Sequence, residues 1–276
     1  MPDGNGLIGF VERFQRKDKY SMDDLLEIMK ILRAPGGCPW DREQTHQSIR
    51  NCFIEETYEA VEAIDTEDPV LLQEELGDVL LQVLFHSEIE EEEGRFDFSD
   101  VVDGEAKKMV ERHPHVFGSV TVDGTEDVLT NWDAIKKKTK AQKTQTEVLQ
   151  SVSKALPALM RSQKVQQKAA KVGFDWPDVS GALDKVEEET AELREAIRAE
   201  GEDACAEELG DLLFSVVNVA RFLHVRAEQS LSEACEKFIR RFQKVEELAN
   251  ARGVDMQSAG IDALDKLWEE AKKSQA

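Results

Sequence analysis

Apolar residues along this chain recur every three or four positions rather than at every second position. Leu25, Ile28, Met29 and Leu32 follow this spacing, and a denser apolar run extends from 212 to 220. Such spacing places side chains on one face of an α-helix, whereas a half-buried strand alternates. The chain also has only 7 Pro and 16 Gly among 276 residues. We therefore predict an all-α fold.

A set of acidic positions occurs twice, with a constant offset of 133 residues (188 minus 55, for example). The first set is Glu55, Glu56, Glu59, Glu75 and Asp78, and the second is Glu188, Glu189, Glu192, Glu208 and Asp211. The surroundings agree as well, since EELGDVLLQVL at 74–84 matches EELGDLLFSVV at 207–217. Other matched pairs are Trp40 with Trp176, Lys108 with Lys237, Arg112 with Arg241, and Trp132 with Trp268. The pattern indicates two copies of one helical unit.

A polar, lysine-rich stretch separates the two copies. Residues 136–153 read KKKTKAQKTQTEVLQSVS and offer little to bury. We predict an N-terminal helical domain at 1–140, a linker at 141–155 and a C-terminal helical domain at 156–276. A solvated helix is an alternative interpretation of the linker, and it leaves the boundary unchanged.

The acidic positions of the second copy are predicted to converge. Residues 181–199 and 204–223 read as two helices with a break near Gly201, which would form an antiparallel pair. At about 1.5 Å per residue, Glu192 lies roughly 13 Å before Gly201 and Glu208 roughly 10 Å after it. Similar heights bring together four carboxylates, those of Glu189, Glu192, Glu208 and Asp211. Clustered carboxylates need a compensating cation, and hard oxygen ligands favour Mg2+, with Mn2+ as an alternative.

Acidic pairs three residues apart are commonly solvated helix faces, and we interpret the run 90–93 in that way. The repeated acids differ because they border a strongly apolar face. Gly77 and Gly210 also hold the same place in each copy, although glycine inside a helix costs about 1 kcal/mol relative to alanine. This predicts a close helix approach there. A di-iron bundle is a poorer fit, since it needs ExxH on two helices and only Glu43 and His46 provide one.

Basic and aromatic residues near the acids are candidates for nucleotide contacts. Lys237 and Arg241 lie four residues apart, so they share one helix face and can neutralise a triphosphate. Pairing with Glu233 or Glu236 on a solvated face is the alternative. Lys185, one turn before Glu189, is a similar candidate; Trp268 and Trp132 either stack on a base or pack. The chain has no GxxxxGK[ST] or GxGxxG motif, so phosphate recognition is expected from metal and side chains.

Charge and composition exclude several classes of protein. The 57 acidic and 35 basic residues give a net charge of -22, which disfavours binding to nucleic acid. No run of eighteen apolar residues predicts a membrane span, and the first twenty residues do not resemble a secretion signal. The 4 cysteines contain no CxxC pair and are interpreted as reduced thiols. We therefore expect a cytoplasmic protein without membrane or nucleic-acid partners.

The acidic pattern EExxE followed by ExxD, at 188–192 and 208–211, resembles the MazG nucleoside triphosphate pyrophosphohydrolases. The tandem copies, GCPWD at 37–41, RHPHVFG at 112–118, the segment 155–176 and EKFIRRF at 236–242 extend the resemblance over almost the whole chain. It implies two tandem MazG-type helical bundles that form a homodimer. It also implies Mg2+-dependent hydrolysis of NTPs and dNTPs to NMP and pyrophosphate, and it suggests a role in the nucleotide pool or under starvation.

The resemblance implies roles for individual residues. The metal ligands would be Glu189, Glu192, Glu208 and Asp211, and the nucleotide and phosphate site would be lined by Lys185, Glu188, Asn218, Lys237, Arg241 and Trp268. Lys185 and Asn218 are matched by Cys52 and Phe85, and in this family the C-terminal copy is commonly the active one. Whether the N-terminal copy is active or structural stays open.

Our working hypothesis is that the bound metal polarises the phosphate and orients an attacking water. Lys237 and Arg241 would offset the charge that develops on the leaving pyrophosphate. Glu188 is a candidate general base. A narrower enzyme for dUTP or damaged nucleotides is one alternative. A non-catalytic helical nucleotide-binding or regulatory protein is the other.

Overall fold

The computed structural model describes residues 17–128, 131–132, 135, 144–199 and 201–274, and within these residues the regular secondary structure is entirely helical. The predicted all-α fold is confirmed. The chain divides into two compact units, 1–136 and 137–276. The predicted boundary at 140–141 lies outside the described residues, so our domain limits stay a prediction. None of the described helices is both long and apolar enough to span a membrane.

Unit 1 is organised around a long helical hairpin. Its helices are α1 (Met22–Arg33), α2 (Pro39–Glu43), α3 (Arg50–Asp65), α4 (Pro69–Glu92), α5 (Phe98–Arg112) and α6 (Pro114–Phe117). Side chains begin these helices: Ser21 forms a capping box with Asp24, and the Asp68 carboxylate accepts hydrogen bonds from two backbone N–H groups just before α4 extends. The α3–α4 hairpin carries the first acidic set, while α1 and α5 cover α4.

The core of unit 1 lies between α1 and the second half of α4. Its buried residues are Met29, Ile49, Leu84, Phe85 and Ile89. Beside it, Arg33 makes a two-bond fork to Glu92, with Nε–Oε1 at 2.8 Å and Nη2–Oε2 at 2.7 Å. In the run 90–93, Glu91, Glu92 and Glu93 are exposed, as a solvated face predicts, and Glu90 is half-buried. Glu90 and Glu93 pair with Arg95, Glu91 with Lys30, and Glu92 with Arg33, because α1 and the turn after α4 place cations beside each acid.

Unit 2 repeats the hairpin and also contains a second helical pair. Its helices are α7 (Gln145–Gln150), α8 (Ala158–Ala170), α9 (Val179–Arg198), α10 (Glu202–Phe222), α11 (Ala227–Ala251) and α12 (Ile261–Lys273). The α9–α10 hairpin turns at Gly201, which is the N-cap of α10, as the sequence predicts. Helix α8 packs against α10 and α11. Val245, Ala249, Leu267 and Ala271 form a core between α11 and α12.

The second helix of each hairpin begins at an equivalent position, whereas the helix that follows the hairpin differs in length between the two copies. Helix α4 begins at Pro69 and α10 at Glu202, which are equivalent positions under the offset of 133. Helix α5 ends at Arg112 because Pro114 follows, and proline cannot continue a helix without losing a hydrogen bond. Helix α11 has no such proline and runs to Ala251.

Among the described residues, the mid-helix glycines do not mark a close helix approach, contrary to our prediction. A Cβ atom built on Gly77 or on Gly210 meets no described atom within 4 Å. Both glycines are exposed. Their cost to helix stability therefore has no explanation in packing within the described residues.

Candidate active site

The C-terminal hairpin brings three carboxylates together. Glu189 on α9 and Glu208 and Asp211 on α10 each offer an oxygen, and these oxygens all lie within 4.8 Å of one another. Glu189 is buried at 3% exposure, Glu208 is half-buried and Asp211 is exposed. The cluster thus sits at the edge of the hairpin with one side open to solvent. Three hard oxygen donors in this arrangement fit a Mg2+ or Mn2+ ion.

Glu192, the fourth predicted ligand, lies beside this cluster rather than within it. It follows Glu189 by three residues on α9 and is exposed. Loss of solvent, followed by the negative charges of Glu189 and Glu208, raises its pKa above the ordinary glutamate value. Glu192 therefore interacts electrostatically with the carboxylates of the cluster. Its role as a metal ligand stays a prediction.

Lys185 supplies positive charge to the cluster. Its Nζ atom lies 2.5 Å from Glu189 Oε1 and 3.0 Å from Glu188 Oε1. Hydrogen bonds to Glu189 and then to Glu188 raise the pKa of Lys185 well above its usual value. The lysine therefore stays protonated and offsets part of the acidic charge.

The N-terminal hairpin contains an equivalent cluster of Glu56, Glu75 and Asp78, whose oxygens also lie within 4.8 Å of one another. Glu75 is 8% exposed, and its Oε2 atom has no hydrogen-bond partner among the described residues. Burial, followed by the neighbouring acids, raises the pKa of both Glu56 and Glu75. Cys52 takes the place of Lys185 here. An orphaned, buried carboxylate oxygen in an acidic set again fits a divalent cation.

Lys237 and Arg241 lie one turn apart on α11, and neither forms an ion pair with an acid in the described part of the chain. The alternative pairing with Glu233 or Glu236 is therefore not formed. The Nε atom of Arg241 is buried and has no acceptor among the described residues. In the first copy, by contrast, Lys108 is paired with Glu105, whose place in the second copy is taken by Ala234.

The chain matches the family model described as the MazG nucleotide pyrophosphohydrolase domain over residues 44–117 and 180–246. It belongs to the MazG family. Each matched segment contains one of the three-carboxylate clusters, so both hairpins are MazG copies. The second segment also contains Lys237 and Arg241.

Relatives extend the match beyond the two MazG segments. A nucleoside triphosphate pyrophosphohydrolase of Escherichia coli (strain K12) is 45% identical over 257 residues, which cover 92% of this chain and 98% of the relative. The nucleoside triphosphate pyrophosphohydrolase/pyrophosphatase MazG of Thermotoga maritima is 44% identical over 250 residues, or 91% and 95% of the two chains. The uncharacterized protein YabN of Bacillus subtilis is 50% identical over 249 residues, but these cover only 51% of its length.

Trp268 in the second MazG copy is packed against protein. Its ring centroid lies 5.0 Å from that of Phe238, and the ring also contacts the core between α11 and α12. Trp132 similarly meets His113 edge-on, with centroids 5.5 Å apart. Packing is thus the role that the structure supports for both rings, and base stacking by Trp268 stays a prediction.

Asn218 in the second MazG copy belongs to a polar group with Arg221 and Asp175, of which the sequence predicted only Asn218 as a site residue. Its Oδ1 atom accepts a hydrogen bond from Arg221 Nε at 2.9 Å, and Arg221 also pairs with Asp175. We had not singled out Arg221 or Asp175. The repeat carries no signal for this pair, because the equivalent positions in the first copy are Glu88 and Pro39.

The first MazG copy contains a second polar group that the sequence did not predict. His46 and His86 are joined through their Nδ1 atoms at 2.7 Å, and His46 Nε2 lies 2.6 Å from Glu90 Oε1. The group borders a cavity of about 380 Å3 that Phe53 and Phe96 also line. His46 is therefore engaged by Glu90 and His86, and the metal-ligating groups of the described residues contain carboxylates only. This does not support the di-iron alternative.

Proposed function

We propose that this chain is a nucleoside triphosphate pyrophosphohydrolase whose active site is the C-terminal MazG copy. The observation that carries the proposal is the combination, in that copy, of the Glu189–Glu208–Asp211 cluster with Lys237 and Arg241, two cations without an acidic partner in the described chain. Two relatives that match nearly the whole chain are named as nucleoside triphosphate pyrophosphohydrolases. Substrates would be NTPs and dNTPs, and products NMP and pyrophosphate.

Glu189, Glu208 and Asp211 would hold the metal ion, with Glu192 as a fourth ligand. A bound Mg2+ would supply positive charge to the phosphate oxygens, and Mn2+ shares the same ligand preference. Burial of Glu189 keeps its carboxylate in one place, since a side chain at 3% exposure has little freedom. The 2.5 Å ion pair with Lys185 also holds this carboxylate in its orientation.

The remaining residues would act on the triphosphate itself. Lys237 and Arg241 would bind its oxygens and offset the charge that accumulates on the leaving pyrophosphate. Glu188 is exposed and lies 3.0 Å from Lys185 Nζ, so it is oriented without being buried and can accept a proton from water. Asn218 and Trp268 would lie on the nucleoside side of the site.

The N-terminal copy would hold a cation without hydrolysing nucleotides. Its carboxylates are retained, but Cys52 replaces Lys185, Phe85 replaces Asn218, and Lys108 is neutralised by Glu105. Each difference removes a group that would bind a nucleotide or its phosphates. A cation would compensate the orphaned oxygen of Glu75.

We also propose a cytoplasmic homodimer that binds neither membranes nor nucleic acid. Large apolar side chains are exposed on α10 and α11, among them Leu213, Phe238 and Ile239, and an isolated chain would leave them in water. All four cysteines are unpaired, which suits a reducing compartment. The net charge of -22 opposes binding to polyanions.

Pyrophosphate release from each NTP and dNTP, with Mg2+ and with EDTA, tests the function. Glu208→Gln and Glu75→Gln are matched variants, since each removes one charge from equivalent positions of the two clusters. We expect metal-dependent release by the wild type, a loss of at least a hundredfold in Glu208→Gln, and near-normal release in Glu75→Gln. A preference for dUTP or modified nucleotides would instead favour the narrower enzyme. No release from any substrate would favour the non-catalytic alternative.

A further inference from the structure

The side-chain amide of Asn218 is held in one orientation. Arg221 Nε donates a hydrogen bond to it at 2.9 Å. Because arginine has only donors, the bonded atom must be the amide oxygen, which removes the usual ambiguity between the two ends of an asparagine. The Nδ2 group is therefore the end that remains available, and no described residue accepts a hydrogen bond from it.

Arg221 is itself fixed in position and in plane. Its Nη1 atom donates to Asp175 Oδ2 at 2.8 Å, and its Nη2 atom donates to Asp175 Oδ1. The side chains of Arg221 and Asp175 are only 12% and 25% exposed, and the guanidinium lies 4.3 Å from the centre of the Phe222 ring. A fork of two parallel bonds fixes geometry as well as charge. The amide of Asn218 is thus presented by a rigid support.

The position of Asn218 relates it to the proposed active site. Asn218 follows Asp211 by seven residues on α10, which is two helical turns, or about 10 Å, along the same face. A nucleotide whose phosphates are bound at the carboxylate cluster extends from it by the length of a sugar and a base. Asn218 lies on the same helix face as Asp211, at a distance that a sugar and a base can span.

We infer that Asn218 Nδ2 donates a hydrogen bond to an acceptor atom of the nucleobase, and that Arg221 and Asp175 are positioning residues that hold the amide in this orientation. The inference rests on the proposed function and identifies the nucleobase as the part of the substrate that the amide contacts. Every common base carries a carbonyl oxygen or a ring nitrogen that can accept. A lone donor therefore fits an enzyme that takes many nucleotides.

The first MazG copy shows that the hairpin does not need these groups in order to fold. The positions equivalent to Asp175, Asn218 and Arg221 hold Pro39, Phe85 and Glu88. Phe85 is buried in the core of unit 1. The amide and both of its supports are thus replaced together in the copy that we propose to be inactive.

Functional-group replacement on ATP tests the donor. The acceptors of adenine are N1, N3 and N7, so 1-deaza-, 3-deaza- and 7-deaza-ATP each remove one of them. For Asn218→Leu we expect a KM for ATP about three- to tenfold higher with kcat nearly unchanged, the effect of one uncharged hydrogen bond. One deaza analogue should raise the wild-type KM by the same factor and leave that of Asn218→Leu unchanged. Equal penalties in both proteins for all three analogues would overturn the inference.

The supports are tested by exchanging their charges. In Asp175→Arg with Arg221→Glu, the new glutamate accepts from Nδ2, so the amide turns and presents its oxygen instead. We expect discrimination against the sensitive deaza analogue to disappear while kcat and helix content stay near wild type. Arg252→Gln, which breaks the ion pair of Arg252 Nη2 with both carboxylate oxygens of Glu270 in the same unit, is the control and should keep that discrimination. Retained discrimination in the exchange variant would show that the supports are only structural.

Binding measurements separate this inference from the proposed function. Calorimetric titration with a non-hydrolysable ATP analogue and Mg2+ reports the same contact without turnover. If the wild type binds about three- to tenfold more tightly than Asn218→Leu yet releases no pyrophosphate, the proposed activity fails and the base contact stands. If hydrolysis occurs and Asn218→Leu binds as well as the wild type, the base contact fails alone.

Discussion

Lys185 gives the C-terminal carboxylate cluster a counter-ion, whereas Cys52 occupies the equivalent position beside the N-terminal cluster. The consequence appears in the acids themselves. Burial and the surrounding charges raise the pKa of both Glu56 and Glu75 in the N-terminal cluster. In the C-terminal cluster the positive charge of Lys185 lowers the pKa of Glu192 and so opposes part of its rise. The N-terminal acids therefore depend more strongly on a bound cation.

This difference predicts that Glu75→Gln stabilises the metal-free protein. A raised pKa means that the folded state holds its proton at higher pH than the unfolded chain. The free energy of unfolding thus falls as pH rises from the ordinary glutamate pKa of 4.5 through the raised value, and the loss is complete above the raised value. The amide keeps the shape of Glu75 and can donate to neighbouring carboxylates.

Thermal unfolding followed by circular dichroism at pH 7, in EDTA and in Mg2+, checks this prediction. In EDTA the unfolding midpoint of Glu75→Gln should exceed that of the wild type, and its response to Mg2+ should be smaller. Glu62→Gln, an exposed acid on α3, is the control and should change neither. A lower midpoint of Glu75→Gln in EDTA would contradict the proposed uncompensated charge.

A second prediction concerns His86, which stacks on His46 with ring centroids 5.0 Å apart. Burial, and then the charge of His46, lowers the pKa of His86 below the ordinary value of 6.5. The unfolded chain therefore takes up this proton first, so the free energy of unfolding falls as pH drops below 6.5 and levels off below the lowered pKa. Urea unfolding at a series of pH values should show this fall in the wild type. This pH-dependent fall in the free energy of unfolding should be smaller in His86→Gln. It should be unchanged in His224→Asn, the control variant, since His224 is an exposed histidine of unit 2.

At the scale of helices, the repeat makes the hairpins predictable. The apolar spacing and the break at Gly201 predict the α9–α10 hairpin. Glu189, Glu208 and Asp211 lie at similar distances from that turn, so their carboxylates meet across the hairpin. The pairing of Arg221 with Asp175 and of His46 with Glu90 could not be predicted in this way. These partners lie 46 and 44 residues apart, and periodicity within one helix carries no information about which helices meet. The cations that α1 supplies to the run 90–93 could not be predicted for the same reason.

The exposed glycine of α10 yields a prediction at this scale. A Cβ atom at position 210 meets no described atom within 4 Å, so Gly210→Ala removes the conformational cost of glycine without a clash. We expect the free energy of unfolding to rise by about 0.5 to 1 kcal/mol, as measured by urea denaturation. Gly77→Ala is the matched variant on α4 and should gain a similar amount. A loss of stability in both variants would show that other protein atoms occupy this space.

The same variant is informative about catalysis, because Gly210 adjoins Asp211. If Gly210→Ala gains stability and keeps its rate of pyrophosphate release, the glycine serves neither packing nor substrate binding. If it gains stability but its KM rises while Gly77→Ala leaves KM unchanged, the substrate approaches the helix backbone at Gly210. Steady-state kinetics on the two variants therefore separate these cases.

At the scale of the whole molecule, α11 divides into two halves with different surroundings. Val245 and Ala249 in its second half are buried against α12, whereas Phe238 and Ile239 in its first half are 55% and 56% exposed. Burial of a large apolar side chain is worth about 1.5 to 3 kcal/mol, so such a row in water favours association. Helix α10 exposes Leu213 as well. These surfaces carry the proposal of a homodimer.

Ile239→Glu tests that proposal, because it places a charge in the exposed apolar row without altering Phe238, which contacts Trp268. Light scattering after size-exclusion chromatography should give the mass of a dimer for the wild type and 31.1 kDa for the variant. Gln243→Glu adds the same charge at an exposed polar position of the same helix and should remain dimeric. A wild type that elutes at the monomer mass would exclude the dimer, and a dimeric Ile239→Glu would move the interface away from this half of α11. Lys237 also lies on this half of α11. If the partner subunit orders this segment, loss of the dimer should weaken nucleotide binding. Titration of both variants with Mg2+ and a non-hydrolysable nucleotide measures that effect.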